Sequence, residues 1–183
     1  MTGETDTLPR CLLLPGWLDS DAQHWQTQWE RLHGAHRVDQ ADWLWPRRGD
    51  WMARLDEVLL EADRPVVLAA HSLGCHLVAA WAAHSRHTRR VVGALLVAPP
   101  DLERDDMPPN LHGWRPIVRR RLPFASVAVI SSDDPYCTPE RAQQMARDWS
   151  ADAFDAGPRG HINGESGLGD WAQGWTLLQT LSG

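Results

Sequence analysis

Short, unbroken apolar runs recur along the chain, with stretches between them whose apolar residues fall three or four positions apart. The runs cover residues 10–14 (RCLLL), 66–70 (VVLAA), 91–98 (VVGALLVA) and 126–131 (SVAVIS), with a weaker one at 151–156. Runs this short, continuous rather than alternating and rich in β-branched residues, predict strands buried on both faces of a parallel sheet. Val38 and its neighbours predict a further edge strand. The helical period appears at Trp25, Trp29 and Leu32, in a helix capped by Asp19 or Ser20. It returns at Met52, Leu55, Val58 and Leu59 after a start at Asp50, and at Leu73, Leu77, Val78 and Trp81. Thr138 followed by Pro139 and Glu140 opens another helix, and Trp171, Trp175, Leu178 and Leu181 form the stripe of a closing one. Strands alternating with amphipathic helices through short connections predict an α/β domain, a parallel sheet covered on both faces. Between residues 99 and 123 the pattern lapses, so whatever covers the sheet edge there is loop and not a separate helical cap.

Composition narrows the reading. The 183 residues are 43% hydrophobic, enough for one domain with a sizeable core, taken as residues 10–183 behind a polar, disordered lead over 1–9. The formal net charge of -6 argues against nucleic acid, whose phosphates call for a basic face. The run Arg119-Arg120-Arg121 reads as a solvated face ahead of the next strand. Cys11, Cys75 and Cys137 are sparse and odd in number, which fits reduced thiols in a cytoplasm. No run reaches membrane-spanning length, and the acidic start does not read as a secretory signal. Eleven tryptophans against two phenylalanines imply that tryptophan fills the core space phenylalanine usually takes, with Trp17 also a candidate for the wall of an apolar pocket.

Candidate chemistry centres on the change of period at Ser72. The run at 66–70 ends in His71-Ser72-Leu73-Gly74 and becomes helical immediately, which places one serine on a strand-to-helix corner. That is the layout of a nucleophile elbow, G-x-S-x-G, with Ala70 standing where the first glycine would be. The N–H of Leu73, at the positive end of the helix, is a candidate oxyanion donor. A second donor is expected in the Pro15-Gly16 turn after the first strand, from Trp17 N–H or next best Leu18, and both residues are candidates to touch substrate. A serine hydroxyl needs a base, and the base needs an orienting acid. In chain order the sequence offers Ser72, an aspartate after the fifth strand, and His161 in a glycine-bounded loop, the order Ser…Asp…His of α/β-hydrolases. Asp134 is preferred to Asp133 because Pro135 fixes the turn beside it; Asp170 reads as a helix cap. The side chain of His71 is expected to point away from the Ser72 hydroxyl, and His76 and Cys75 to pack, while His24 and His112 are candidates to shape the pocket. The pairs His33/His36 and His84/His87 lack a third ligand, so neither metal nor cofactor is expected.

The segments LLPGW (13–17), AAHSLGC (69–75), VAPPD (97–101), SSDDPYC (131–137) and GHINGESGLGDW (160–171) together resemble the small serine hydrolases typified by retinoblastoma-binding protein nine. The resemblance implies a lidless, single-domain α/β-hydrolase fold of about six mostly parallel strands flanked by helices. It also implies Ser72, Asp134 and His161 as nucleophile, orienting acid and general base. The expectation is hydrolysis of small ester, thioester or amide substrates through an acyl-enzyme, with no nucleic-acid or membrane partner. A binding protein with an idle triad, or an acyltransferase, are the alternatives.

Overall fold

The computed structural model describes residues 8–183; the lead expected over residues 1–9 thus falls, for 1–7, outside the described residues, and Leu8 is exposed. The elements alternate as the apolar runs require: β1 (Arg10–Leu14), α1 (Trp25–His33), β2 (His36–Arg37), α2 (Arg48–Glu61), β3 (Val66–His71) and α3 (Leu73–His84). Then follow β4 (Val91–Val97), β5 (Ala125–Ile130), α4 (Pro139–Trp149), β6 (Asp152–Asp155) and α5 (Ala172–Thr180). All strands run parallel in one six-stranded sheet of order β2-β1-β3-β4-β5-β6.

The two-residue period of the strands sorts the core into two layers. Leu12, Leu14, Leu68, Ala70 and Leu96 face α2, α3 and α4. Leu13, Val67, Ala69, Leu95 and Val97 face α1 and α5. Six tryptophans (25, 29, 51, 81, 114 and 149) are among the largest fully buried side chains. Each also donates its indole N–H, as in Trp29 to the Asp170 carbonyl at 2.7 Å and Trp114 to the Pro46 carbonyl at 2.8 Å. Tryptophan therefore fills volume and pins neighbouring loops at once, and truncating one to alanine would cost about 3–5 kcal/mol.

Several local expectations shift. Asp19 and Ser20 do not cap α1; the cap is His24, whose side chain accepts from the Gln26 N–H. Asp19 instead receives Arg37 at 2.8 Å, and Leu32 is exposed while Gln26 is buried. Helix α2 begins at Arg48, two residues before Asp50, and its buried stripe includes Trp51 where Met52 was expected. The edge strand is only His36–Arg37; Val38 follows it, buried, with its N–H on the Leu13 carbonyl. Asp170 makes no side-chain cap, because Trp171 in left-handed backbone precedes α5. Arg119, Arg120 and Arg121 are exposed, with Arg119 paired to Glu103 at 3.1 Å.

The chain leaves β1 toward β2 on one side and returns to β3 on the other. Loops at the carboxyl ends of β1 and β3 therefore diverge and open a crevice, the place where open parallel sheets hold ligands.

Candidate active site

The crevice is a cleft of about 280 Å³ lined by residues from five loops. Gly16 to Asp19 come from the end of β1, and Ser72 and Leu73 from the corner after β3. Met107, Pro108 and Leu111 lie in the segment after β4, Tyr136 follows β5, and His161 and Asn163 follow β6.

At the corner, Ser72 has φ 55° and ψ -121°, a conformation an L-residue adopts only under constraint, at a cost of order 1–3 kcal/mol. Two contacts impose it. The Ser72 N–H donates to the Val97 carbonyl at 2.9 Å, and α3 starts one residue later with Cys75 N–H on the Ser72 carbonyl. Gly74 lies so close to β1 that a Cβ there would sit 2.2 Å from the Leu14 carbonyl oxygen. A Cβ on Gly16 would stand 2.9 Å from the Ser72 Cβ, so the turn after β1 rests directly on the serine. Ala70 fits where the motif's first glycine would be, fully buried and paired with Leu14 and Leu96.

Ser72 Oγ is 2.8 Å from His161 Nε2, and His161 Nδ1 is 3.0 Å from both carboxylate oxygens of Asp134. A carboxylate only accepts, so Nδ1 carries the proton and Nε2 is left to accept from the serine hydroxyl. The side chains of His161 and Asp134 are 10% and 3% exposed, so water does not compete for this bond. Tyr136 N–H donates to Asp134 Oδ1 at 2.9 Å, and the Tyr136 ring lies edge-on to the imidazole at 4.7 Å.

Asp133, the alternative acid, turns elsewhere. Its Oδ1 accepts from Ser131 Oγ at 2.9 Å and Gly160 N–H at 2.7 Å, which holds its carboxyl below the usual range and braces the loop that carries His161. Of the expected oxyanion donors, Leu18 is ruled out because its N–H is committed to the Trp43 carbonyl at 3.2 Å. Its side chain still edges the cleft, 56% exposed. Among the described residues, neither the Trp17 N–H nor the Leu73 N–H has a backbone partner outside its own element. The Trp17 side chain lines the cleft and donates to the Leu44 carbonyl at 2.9 Å.

Other candidates are distributed as follows. His76 is a buried packing residue with Nε2 on the Pro100 carbonyl at 2.8 Å; burial lowers its pKa to about 4. Cys75 is buried with its Sγ toward the Val97 carbonyl. His112 bonds the Met107 carbonyl behind the cleft wall. His24 does line the cleft, together with His71, whose ring, expected to point away from the Ser72 hydroxyl, bonds His24 at 3.2 Å and the His161 carbonyl at 2.8 Å instead. The signal for that pair lies in His71 preceding the serine, but nothing local relates it to His24, 47 residues earlier.

The model of a family described as serine hydrolase matches residues 11–180. The chain belongs to the serine hydrolase family. Within that family's chemistry, its structure is similar to that of a YdeN-like hydrolase from Pectobacterium atrosepticum, 30% identical. The match covers 96% of this chain and 91% of that one, with a TM-score of 0.84. The ydeN gene product of Bacillus subtilis is 18% identical, over 94% of this chain and 98% of that one, at a TM-score of 0.74. A Bacillus cereus carboxylesterase shares the fold at a TM-score of 0.61 and 18% identity, over 97% of this chain and 90% of that one. The search of curated proteins gives no match. The single sheet of six parallel strands flanked by helices is the α/β-hydrolase fold. No helix among the described residues is long and apolar enough to cross a membrane.

Proposed function

We propose that this serine hydrolase cleaves small ester, thioester or amide substrates through an acyl-enzyme formed on Ser72. The observation that carries the reading is the unbroken hydrogen-bonded chain from Ser72 Oγ through His161 to Asp134, set on a strained corner at the floor of a cleft. Ser72 Oγ attacks the acyl carbon while its proton passes to His161 Nε2. Asp134 orients the imidazole and stabilises the imidazolium. The oxyanion is received by the N–H groups of Leu73 and Trp17, neither of which has, among the described residues, a backbone partner outside its own element. Collapse returns the proton from Nε2 to the leaving group, and water then repeats the sequence on the acyl-enzyme.

Cleft size and lining support a substrate class. About 280 Å³ bounded by Trp17, Met107, Pro108 and Leu111 favours short apolar acyl groups, and no lysine or arginine lines it to recruit an anion. The motifs shared with hydrolases of the retinoblastoma-binding protein nine type all contribute to this one edge, which supports the finer kinship. The carboxylesterase named among the structural neighbours supports esters as first substrates to try. Three free, buried cysteines support a reducing compartment such as the cytoplasm.

The test is covalent labelling by a fluorophosphonate together with turnover of p-nitrophenyl acetate and butyrate. Wild type is expected to react and turn over, and Ser72→Ala to do neither. A Ser72→Ala protein that retains esterase activity refutes the assignment. Folded wild type inert to label and ester alike would favour a binding role.

A further inference from the structure

The loop that carries His161 is held at three consecutive residues. Gly160 N–H donates to Asp133 at 2.7 Å, and Trp25 Nε1 donates to the Ile162 carbonyl at 2.9 Å. The third hold is His71 Nε2 on the carbonyl of His161 itself, at 2.8 Å. Ile162 is fully buried with φ 49°, so this backbone is kept in an unfavourable region by its surroundings.

Behind His71 stands His24, and the protons of both rings follow from their partners. Gln26 N–H donates to His24 Nδ1 at 3.1 Å, so that nitrogen is bare and a neutral His24 carries its proton on Nε2. His24 Nε2 lies 3.2 Å from His71 Nδ1, which must then accept, leaving the His71 proton on Nε2. That nitrogen faces the His161 carbonyl, an obligate acceptor. Every donor meets an acceptor in one arrangement only: Gln26 N–H to His24, His24 to His71, His71 to His161. Protonating either ring would set two donors face to face. Burial lowers His24 to about 3 and His71 well below its ordinary value; Asp21 pulls His24 upward, while Arg37 and His161 add to the lowering. The pair is thus neutral across the working range.

We propose that His24 and His71 form a positioning relay that anchors the start of α1 to the main chain of His161 and so fixes the imidazole on Ser72. Both rings line the cleft, but their hydrogen bonds run to each other, to Gln26 and to His161 rather than to Ser72 Oγ, so the relay acts through His161. It rests on the reading of His161 as general base. Removing the last donor would let the His161 backbone drift, and misplacement on the ångström scale can cost up to about 100-fold in rate.

The experiment compares His71→Leu, His71→Gln, His24→Phe and the His24→Phe/His71→Leu double variant, each checked for folding by circular dichroism. His71→Leu lacks the donor and is expected to lower kcat about 10- to 100-fold with KM within about twofold. His71→Gln places an amide N–H near the same point and should recover most of that loss. Because the two histidines act as one chain, the double variant should be no slower than the worse single one. An NMR readout needs no turnover: the downfield proton of the His161–Asp134 bond should be present in wild type and His71→Gln, and lost or broadened in His71→Leu. In wild type both His24 and His71 should show the Nε2–H tautomer. The relay is overturned by an Nδ1–H tautomer in either ring, by His71→Leu turning over within twofold of wild type, or by losses that simply add. An undisturbed His161–Asp134 proton in His71→Leu would overturn it as well. If wild type turns over no ester and takes no label, the hydrolase reading fails and the NMR result decides the relay by itself.

Discussion

Asp134→Asn separates the two adjacent aspartates. Asp134 presents both oxygens to His161 Nδ1 at 3.0 Å, in surroundings where its side chain is 3% exposed. The lost interaction is therefore a charge-assisted hydrogen bond that solvent cannot replace, worth about 1.5–3 kcal/mol in the resting enzyme. A larger loss comes in the transition state. There the carboxylate balances the imidazolium, and asparagine also allows the tautomer with Nδ1 bare, whose Nε2 cannot take the serine proton. Together these amount to about 4–5.5 kcal/mol, or a fall in kcat of roughly 10³- to 10⁴-fold. Asp133→Asn keeps a carbonyl oxygen for Ser131 Oγ and the Gly160 N–H, so kcat should stay within about threefold because only neutral-acceptor strength changes. The assay is kcat for p-nitrophenyl butyrate at pH 8 with the rate of fluorophosphonate labelling, on proteins of matched thermal unfolding. An Asp134→Asn enzyme within tenfold of wild type, or an Asp133→Asn enzyme slower than it, would refute the reasoning.

Two further outcomes concern stability. Gly74→Ala drives a methyl group to within 2.2 Å of the Leu14 carbonyl oxygen; backbone must move, at about 3 kcal/mol or more. That lowers Tm by roughly 6–12 °C in a chain of this size, whereas a Tm unchanged within 2 °C would show that β1 and α3 are not in contact. The buried histidines make stability depend on pH. His24 at about 3 and His76 at about 4 lie below the ordinary 6.5, so the unfolded chain takes up protons first as pH falls. Stability should be flat above about pH 7 and decline below 6.5, by about 2 kcal/mol for each of the two at pH 5. Urea unfolding at pH 8, 6 and 5 reads this directly, and equal midpoints at pH 8 and 5 would contradict the burial of these rings as neutral species.

The alternation of buried runs and helical stripes was enough, by itself, to place the strands and the major helices, because a short continuous apolar run and a 3.6-residue period are properties of local sequence. The corner at Ser72 was legible because the period changes there and small residues, Ala70 and Gly74, stand two positions to either side. Helix ends were not legible. Asp19 has the chemistry of a cap, but Arg37 from β2 claims it across the sheet edge, and His24 caps instead. The sequence favours Asp134 over Asp133 through the turn at Pro135, but both follow β5, and it is the path of the 157–163 loop that puts one carboxylate on His161 and the other on Gly160. The engaged N–H of Leu18 and the pairing of His24 with His71 were hidden for a related reason. Each depends on a partner tens of residues distant: Trp43 is brought near by the pairing of β1 with β2, and His71 by the pairing of β1 with β3. Local sequence specifies which side chains are available for chemistry; three-dimensional packing determines which of them are occupied with holding the others in place.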